Sequence, residues 1–186
     1  CQEFIEQNID PNWGRKSRIF NFSINKPRIH RKFLLKEIER LGLTSYRHSL
    51  AWKHNPVNNI PLTDFSFGSE IKNDLGIRNG SFKNSETFDK LLKLPVYSGT
   101  CISIITEPCF YEKEAIVTEK TFMALMGGTI PIWFGGWKNA KSLAKLGFDV
   151  FDDIVDHSYE TLEDPYERCT QALERNSHLF DLEKMQ

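Results

Sequence analysis

Charged and hydroxyl side chains stand at the beginnings of two predicted helices, where they suit anion binding. One beginning carries Arg28 and Arg31, and the other carries Thr118, Glu119 and Lys120. A helix N-terminus presents free backbone N–H groups and about half a positive charge, which favours a phosphate group. An arginine can hold two phosphate oxygens at once, and a lysine adds a point charge. The pattern indicates a site for a phosphorylated ligand.

A purely structural interpretation of the second helix start stays open. Thr118 is an ordinary N-cap residue, and Glu119 complements the helix dipole without any ligand. Gly127 and Gly128 supply an ordinary helix stop. The sequence contains neither GxGxxG after its first strand nor the phosphate loop GxxxxGK followed by Ser or Thr. Spacing alone therefore allows either a capped helix or a ligand site.

Strands and helices alternate along the chain and carry these residues. Apolar runs predict strands, and apolar residues at helical spacing with polar or glycine ends predict helices. The predicted strands are 19–24, 45–52, 100–107, 129–136 and 148–154. The predicted helices are 30–43, 85–94, 118–128, 139–147 and 164–176. The alternation predicts an α/β fold, with a Rossmann-like parallel sheet and helices on both faces.

The length of 186 residues suits one domain of ordinary size. We expect residues 1–18 to form a tail or linker and residues 19–186 to form a single Rossmann-like domain. Whether that domain belongs to a longer chain stays open. In such a sheet, ligands bind outside the carboxyl ends of the strands. Both charged helix starts directly follow predicted strands or their loops, so both suit a position at that edge.

Two further features predict the rim and the core. Residues 53–84 are rich in Asn, Gly and Pro and predict a long irregular connection that suits a binding rim. Pro131 has no N–H to donate to a sheet, so we expect it at the start of its strand or at an irregularity. The apolar side chains expected in the core are Phe122, Leu125, Met126, Trp133, Phe134 and Trp137. Trp133, Phe134 and Trp137 could instead line a ligand pocket or pack a subunit contact.

The run ITEPCFYEKEAIVTEKTFMALMGGTIPIWFGG, residues 105–136, resembles the donor-binding segment of fucosyltransferase-like glycosyltransferases. That family has Phe-Glu-Asn-Ser, a spacer, Val-Thr-Glu-Lys, a helix, Gly-x-x-Pro and an apolar strand that ends in glycine. The matching residues here are Thr106, Glu107, Pro108, Val117, Thr118, Glu119, Lys120, Gly128, Pro131 and Gly135. The family also has a phosphate-binding arginine on an upstream helix, and Arg31 stands in a similar context.

The resemblance implies the donor half of a GT-B enzyme, which moves a sugar from a nucleotide diphosphate to an acceptor. Lys120 and Arg31 would hold the diphosphate, and Arg28 is the other arginine suited to this role. Glu119 would bind the ribose, and Glu107 would lie near the donor sugar or nucleotide. The nucleotide sugar is a co-substrate, and the family implies neither another cofactor nor an obligatory metal. The acceptor, whether glycan, protein or nucleic acid, is left open.

The chain departs from the family pattern after the first glutamate. Pro108 and Cys109 replace the family's Asn-Ser, so an amide-mediated contact is not expected there. The general base of a GT-B enzyme usually comes from the acceptor domain, for which this chain has no room. Glu107, Glu112 and His30 are candidates for a base, but no catalytic residue is assigned.

Composition excludes several other classes of protein. The four cysteines and five histidines form no recognised metal motif, so no metal site is expected. No apolar run has the length of a membrane span, and no secretory signal opens the chain, which favours a cytoplasmic location. The formal net charge of −1 argues against a surface built wholly for nucleic acid.

Two non-enzymatic alternatives remain. The basic stretch Arg15–Lys32 contains Phe20 and Phe22 and ends before Phe33, a pattern compatible with nucleic-acid binding. Alternation favours the core for Phe20 and Phe22, which weakens that hypothesis. The other alternative is a degenerate transferase fold that serves as a protein-interaction module.

Overall fold

A single sheet of five parallel strands organises the described part of the chain. The structure, a computed structural model, describes residues 18–24, 28–43, 47–52, 66–67, 97, 99–108 and 110–181. The strands are β1 (Arg18–Ile24), β2 (Arg47–Trp52), β3 (Ser66–Phe67), β4 (Thr100–Ile105) and β5 (Ile130–Trp133). The helices are α1 (Ile29–Arg40), α2 (Glu119–Met126), α3 (Asn139–Lys145) and α4 (Pro165–Glu174), with 3-10 turns at Ser158–Thr161 and Ser177–Phe180.

The order of strands across the sheet is β3-β2-β1-β4-β5, and every neighbouring pair is parallel. The chain builds one half of the sheet outward from β1 and the other half outward from β4. Phe20 lies beside Ile102 and Phe22 beside Ile104 where the two halves meet. This order is that of the doubly wound Rossmann fold, and the β1/β4 boundary is its topological switch point. The predicted parallel α/β architecture is confirmed.

Each face of the sheet is covered by helices. On one face, side chains of β1, β4 and β5 pack with α1 and α4 in the larger core, whose fully buried members include Phe20, Phe22, Leu34, Ile102, Ile104, Ile132 and Leu173. On the other face, Ile105 and Trp133 pack with Ala124 of α2 and with Ala140 and Leu143 of α3. Successive residues of a strand point to opposite faces, which is why neighbouring residues enter different cores.

The local signals for helix ends are borne out. Thr118 caps α2 in an extended conformation, and Asp164 accepts hydrogen bonds from two N–H groups of the first turn of α4. Gly42 and Gly128 follow α1 and α2 with φ of 69° and 65°, angles that residues other than glycine rarely adopt. Pro131 is the second residue of β5, at the end of the described strand order.

Residues 148–154 were predicted as a strand, and this prediction is wrong. The Asp149 carboxylate accepts a hydrogen bond from the N–H of Phe151 at 2.8 Å, and Phe151 has a φ of 59°. The carbonyl of Phe151 then accepts from Val155 N–H at 2.7 Å. An aspartate that binds the backbone two residues ahead favours a turn over an extended strand.

The predicted irregular connection 53–84 contains a short strand. Ser66 and Phe67 pair with Ala51 and Trp52 of β2, so this part of the prediction is wrong. The remainder of that segment lies outside the described residues, as does the predicted helix 85–94. Strand β2 confirms most of the predicted strand 45–52, whose first two residues lie outside the described set.

The core prediction for α2 is partly wrong. Phe122 and Met126 are 39% and 43% exposed, whereas Met123 and Ala124 are buried. The helix therefore packs through the stripe that includes Met123 and Ala124, and Phe122 contacts the ring of Phe148 instead, at 6.0 Å between centroids. The predictions for Trp133 and Phe134 are confirmed, since both are almost fully buried, whereas Leu125 and Trp137 are half-buried.

This packing predicts stability effects of different size for two adjacent residues. Met123→Ala should lower the free energy of unfolding by about 2 to 3 kcal/mol, because it empties a buried volume. Phe122→Ala should lower it by less than about 1 kcal/mol, because the ring is already partly in water. Urea denaturation of both variants measures the difference. Equal destabilisation by the two changes would contradict the assigned helix face.

Candidate functional site

The predicted site residues lie at one edge of the sheet, where β1 and β4 end side by side. Helix α1 begins after β1, and residues 106–118 connect β4 to the start of α2. The carboxyl ends of these two strands form the switch point of the sheet. Both charged helix starts therefore meet at the position where open α/β sheets bind ligands.

Two arginines at the start of α1 reach across this boundary to the segment after β4. Arg28 Nη1 donates to the carbonyl of Pro108 at 2.6 Å, and Arg31 Nη2 donates to that of Thr106 at 3.3 Å. Arg28 is exposed, whereas Arg31 is only 4% exposed. Burial, and then the charge of Arg28, lower the pKa of Arg31, while the carboxylate of Glu107 acts in the opposite direction. The two arginines thus form a compact positive cluster.

Glu107 is buried, and its carboxylate holds the start of α2. Oε1 accepts hydrogen bonds from Thr118 N–H at 2.9 Å and from Thr121 Oγ1 at 2.8 Å, and Oε2 accepts from Thr118 Oγ1. Thr121 Oγ1 also accepts from the indole N–H of Trp133 at 2.9 Å. Glu107 therefore positions α2, and its oxygens already have donors. Thr118, the N-cap residue of α2, acts together with Glu107 in holding this helix start.

Lys120 lies over the first turn of α2, beside the more exposed Glu119. Lys120 Nζ donates to Thr118 Oγ1 at 3.2 Å and to Glu119 Oε1 at 3.0 Å. Partial burial raises the pKa of Glu119, but the hydrogen bond and charge of Lys120 outweigh it and hold that pKa below its usual value. The side chains of Lys120 and Glu119 are 17% and 51% exposed. The Glu119 carboxylate is therefore ionised near neutral pH, at a surface that a ligand can reach.

A small cavity with polar and apolar walls lies beneath Lys120. Its volume is about 10 Å³, and its lining includes Asn21, Ser103 and Thr106. A cavity of this size holds about one water molecule.

His30 is buried between the two arginines. Its ring stacks on Phe110 at 5.3 Å between centroids, and it forms a hydrogen bond with the backbone of Glu107. Burial, followed by the charges of Arg31 and Arg28, lowers the pKa of His30 to about 4. The ring is neutral near neutral pH, and its Nε2 has no hydrogen-bond partner among the described residues.

The three candidates for a general base lie in the loop after β4 or contact it. Both carboxylate oxygens of Glu107 already accept hydrogen bonds, and His30 binds the backbone of Glu107, just after β4. Glu112 is exposed, and its Oε2 accepts from the N–H groups of Phe110 and Tyr111 at 2.9 and 3.2 Å. These contacts explain local structure in each case, so none of the three is assigned as catalytic.

Sequence reasoning did not identify Arg168 of α4, although it contacts the same edge of the sheet. Its guanidinium is buried and donates to carbonyls of three separate segments. The available signal was its spacing, since Arg168 stands four residues before Ala172 and next to Cys169 on the apolar side of the helix. A charged residue on an apolar helix face indicates a specific partner in the core.

Three further properties add little to this geometry: possible metal ligands, the hydropathy of the helices and similarity to known proteins. Within the described ranges, no group of three or more His, Cys, Asp or Glu side chains is arranged to hold a metal ion. None of the helices described there combines the length and hydropathy needed to cross a bilayer. Comparison with protein families, curated proteins and solved structures finds no match.

Phe20 and Phe22 bear on nucleic-acid binding. Both rings are fully buried, as alternation favoured, and Phe33 is half-buried against Phe134 and Tyr166. Phe20 and Phe22 cannot stack with bases without unpacking the core. Base stacking by this stretch therefore has no support from the described residues.

Proposed function

We propose that the chain binds the diphosphate of a nucleotide sugar and is a glycosyltransferase, or the donor-binding domain of one. The observation that carries the proposal is the convergence of Arg28, Arg31 and Lys120 at the switch point of a parallel sheet. Two helix N-termini, at α1 and α2, face the same edge and add positive potential. A diphosphate is the ligand whose charge and size suit this arrangement.

Each residue then has a specific role. Arg31 and Lys120 hold the diphosphate oxygens, and the exposed guanidinium of Arg28 supplies a second fork for the same group. Glu119 is exposed, ionised and adjacent, so its carboxylate accepts hydrogen bonds from ribose hydroxyls. Glu107 and Thr118 fix the first turn of α2 and thereby the position of Lys120.

The reaction follows from the leaving group. An acceptor hydroxyl attacks the anomeric carbon, the glycosidic bond to the diphosphate breaks, and negative charge develops on the departing phosphate oxygen. Fixed positive groups at that oxygen stabilise the transition state more than the ground state. The hydroxyl proton passes to a base that this proposal assigns to an acceptor domain or partner, as in the GT-B arrangement. The acceptor is a glycan, a protein or a nucleic acid.

Calorimetric titration with GDP, UDP, ADP and CMP tests the proposal. We expect saturable binding of one nucleoside diphosphate, with a dissociation constant between micromolar and millimolar. Lys120→Ala and Arg31→Ala should each weaken that binding by about tenfold to a hundredfold, since each removes a charged hydrogen bond. Repeating the titration in EDTA tests whether a metal is required.

Matched variants separate a local effect from a general loss of charge. Lys36→Ala removes an exposed cation from α1, and Lys145→Ala removes one from the last turn of α3. Neither should change the dissociation constant by more than about twofold, because neither lies at the carboxyl edge. A folded chain that binds none of the four nucleotides, or that binds one equally well without Lys120 and Arg31, would refute the proposed site.

A further inference from the structure

The segment that follows β4, residues 106–110, is held from two sides. On one side, polar side chains at the start of α1 bind its backbone. The contacts are Arg31 to Thr106 O, His30 to the backbone of Glu107, and Arg28 to Pro108 O. The directions of both arginines therefore depend on where this segment lies.

On the other side, Arg168 of α4 binds the end of the segment. Its Nη2 donates to Phe110 O at 3.1 Å and to Gly135 O at 3.4 Å, and its Nη1 donates to Leu162 O at 2.6 Å. The centroid of the Trp137 ring lies 5.3 Å from the guanidinium carbon. Arg168 is 1% exposed, and no ion pair joins it to any described carboxylate.

A buried arginine without a carboxylate partner is costly, and a hydrophobic side chain would often be more stable in its place. What only a guanidinium supplies is a rigid set of donors that joins several carbonyls at once. Here it links the loop after β4 to the loop after β5. Gly135 fits this junction closely, since a Cβ at that residue would lie 3.1 Å from the ring of Phe110.

Phe110 transmits this contact to the start of α1. Its ring stacks on His30 with an interplanar angle of 22° and also meets Tyr166 of α4 edge-on at 5.1 Å. In the sequence, His30 lies between Arg28 and Arg31, the two arginines of the positive cluster. A continuous path of contacts thus runs from Arg168 through Phe110 and His30 to Arg28 and Arg31.

We propose that Arg168 is a positioning residue for the anion site, acting through Phe110 and His30 on the directions of Arg28 and Arg31. The inference rests on the proposed function for its effect on binding. The path of contacts from Arg168 to the two arginines does not depend on that function. A group held in place before the ligand arrives costs less to order on binding, so loosening the path weakens affinity without removing any ligand contact.

The titration of His30, followed by NMR of its imidazole ring, tests the path directly. The signal is assigned by its loss in His30→Gln. In the parent chain its pKa is about 4, set by burial and by Arg31, Arg28 and Glu112 around it. In Arg168→Met, we expect this pKa to rise toward 6.5, because Phe110 no longer covers the ring. Arg168→Lys should fall between the two, since a single ammonium cannot join all three carbonyls.

Binding is measured on the same variants with GDP and UDP. We expect Arg168→Met to weaken binding of the nucleotide that the parent chain binds by about tenfold. The circular dichroism spectrum should stay unchanged. Arg175→Met is the control, because Arg175 ends the same helix, is exposed and bonds only Gln171 and Ser158 among the described residues. That change should leave both the His30 titration and the nucleotide affinity as they are.

Phe110→Leu provides a second test if Arg168→Met does not fold. It keeps the backbone carbonyl that Arg168 binds and removes the flat ring that covers His30. We expect the same rise in the pKa of His30 and the same weakening of binding. An unchanged His30 titration in the folded variants would overturn the path. If the parent chain binds none of GDP, UDP, ADP and CMP, the proposed function fails in its own experiment, while the His30 titration still decides the path.

Discussion

Glu107→Ala is expected to lower the free energy of unfolding by about 3 to 4 kcal/mol. The change removes the acceptor for Thr118 N–H and for the hydroxyls of Thr118 and Thr121. Hydroxyls can rotate to other acceptors, but the backbone N–H has a fixed direction. Chemical denaturation, monitored by far-UV circular dichroism, measures the loss.

Two further glutamate variants make this result specific. Glu107→Gln keeps one acceptor oxygen at the same position and should lose only about 1 to 2 kcal/mol. Glu114→Ala removes an exposed carboxylate from the same loop and should change stability by less than about 0.5 kcal/mol. If Glu107→Ala were no more costly than Glu114→Ala, the carboxylate would not be the anchor of α2.

Glu160 is expected to make the protein less stable as the pH rises through neutrality. This carboxylate is 2% exposed and accepts hydrogen bonds from Ala140 N–H at 3.0 and 3.1 Å. It supplies the cap that Lys138, the residue before α3, does not provide. Burial raises its pKa from 4.5 to about 8, against the opposing effect of the helix N–H groups and Arg168.

The sign follows from the proton count. Between pH 4.5 and about 8, the folded state keeps a proton on Glu160 that the unfolded state has lost. Stability therefore falls as the pH rises through this window, by at most about 5 kcal/mol for this single group. His30 and His157 act oppositely below pH 6.5, because burial lowers the pKa of both. The effect of Glu160 is clearest between pH 6.5 and 8.

Denaturation curves across that range test this expectation. The parent chain should lose stability with rising pH, and Glu160→Gln should remove most of the slope because it carries no titrating proton. Glu163→Gln, which changes an exposed carboxylate paired with Lys113, should keep the slope. The idea fails if Glu160→Gln retains the same pH dependence as the parent chain.

Signals confined to neighbouring residues explain what the sequence predicted well. Asp164 and Thr118 cap helices through groups two or three residues away, and Gly42 and Gly128 satisfy a local backbone requirement. Such interactions are the same in the isolated sequence and in the fold. The meeting of two helix starts also followed from a general rule, since the carboxyl ends of parallel strands share one edge.

Contacts between distant residues explain what the sequence missed. Glu160 caps a helix twenty residues earlier, at Ala140, and no local pattern connects the two. Arg168 joins three segments that the fold alone brings together. Phe122 and Met123 are adjacent apolar residues, and only the docking angle of the helix decides which of them is buried. The strand prediction for 148–154 is wrong because the hydrogen bond from Phe151 N–H to the Asp149 side chain outweighs the apolar pattern.

The indole of Trp133 gives the proposed anion site an optical readout. Trp133 is fully buried, and its ring N–H donates to Thr121, which in turn donates to Glu107. Tryptophan emission depends on the polarity and hydrogen bonding around the ring. Whatever shifts the first turn of α2 also changes the surroundings of this fluorophore. The protein therefore carries an intrinsic label joined to that turn through Thr121, and occupancy of the proposed site can be followed without attaching a dye.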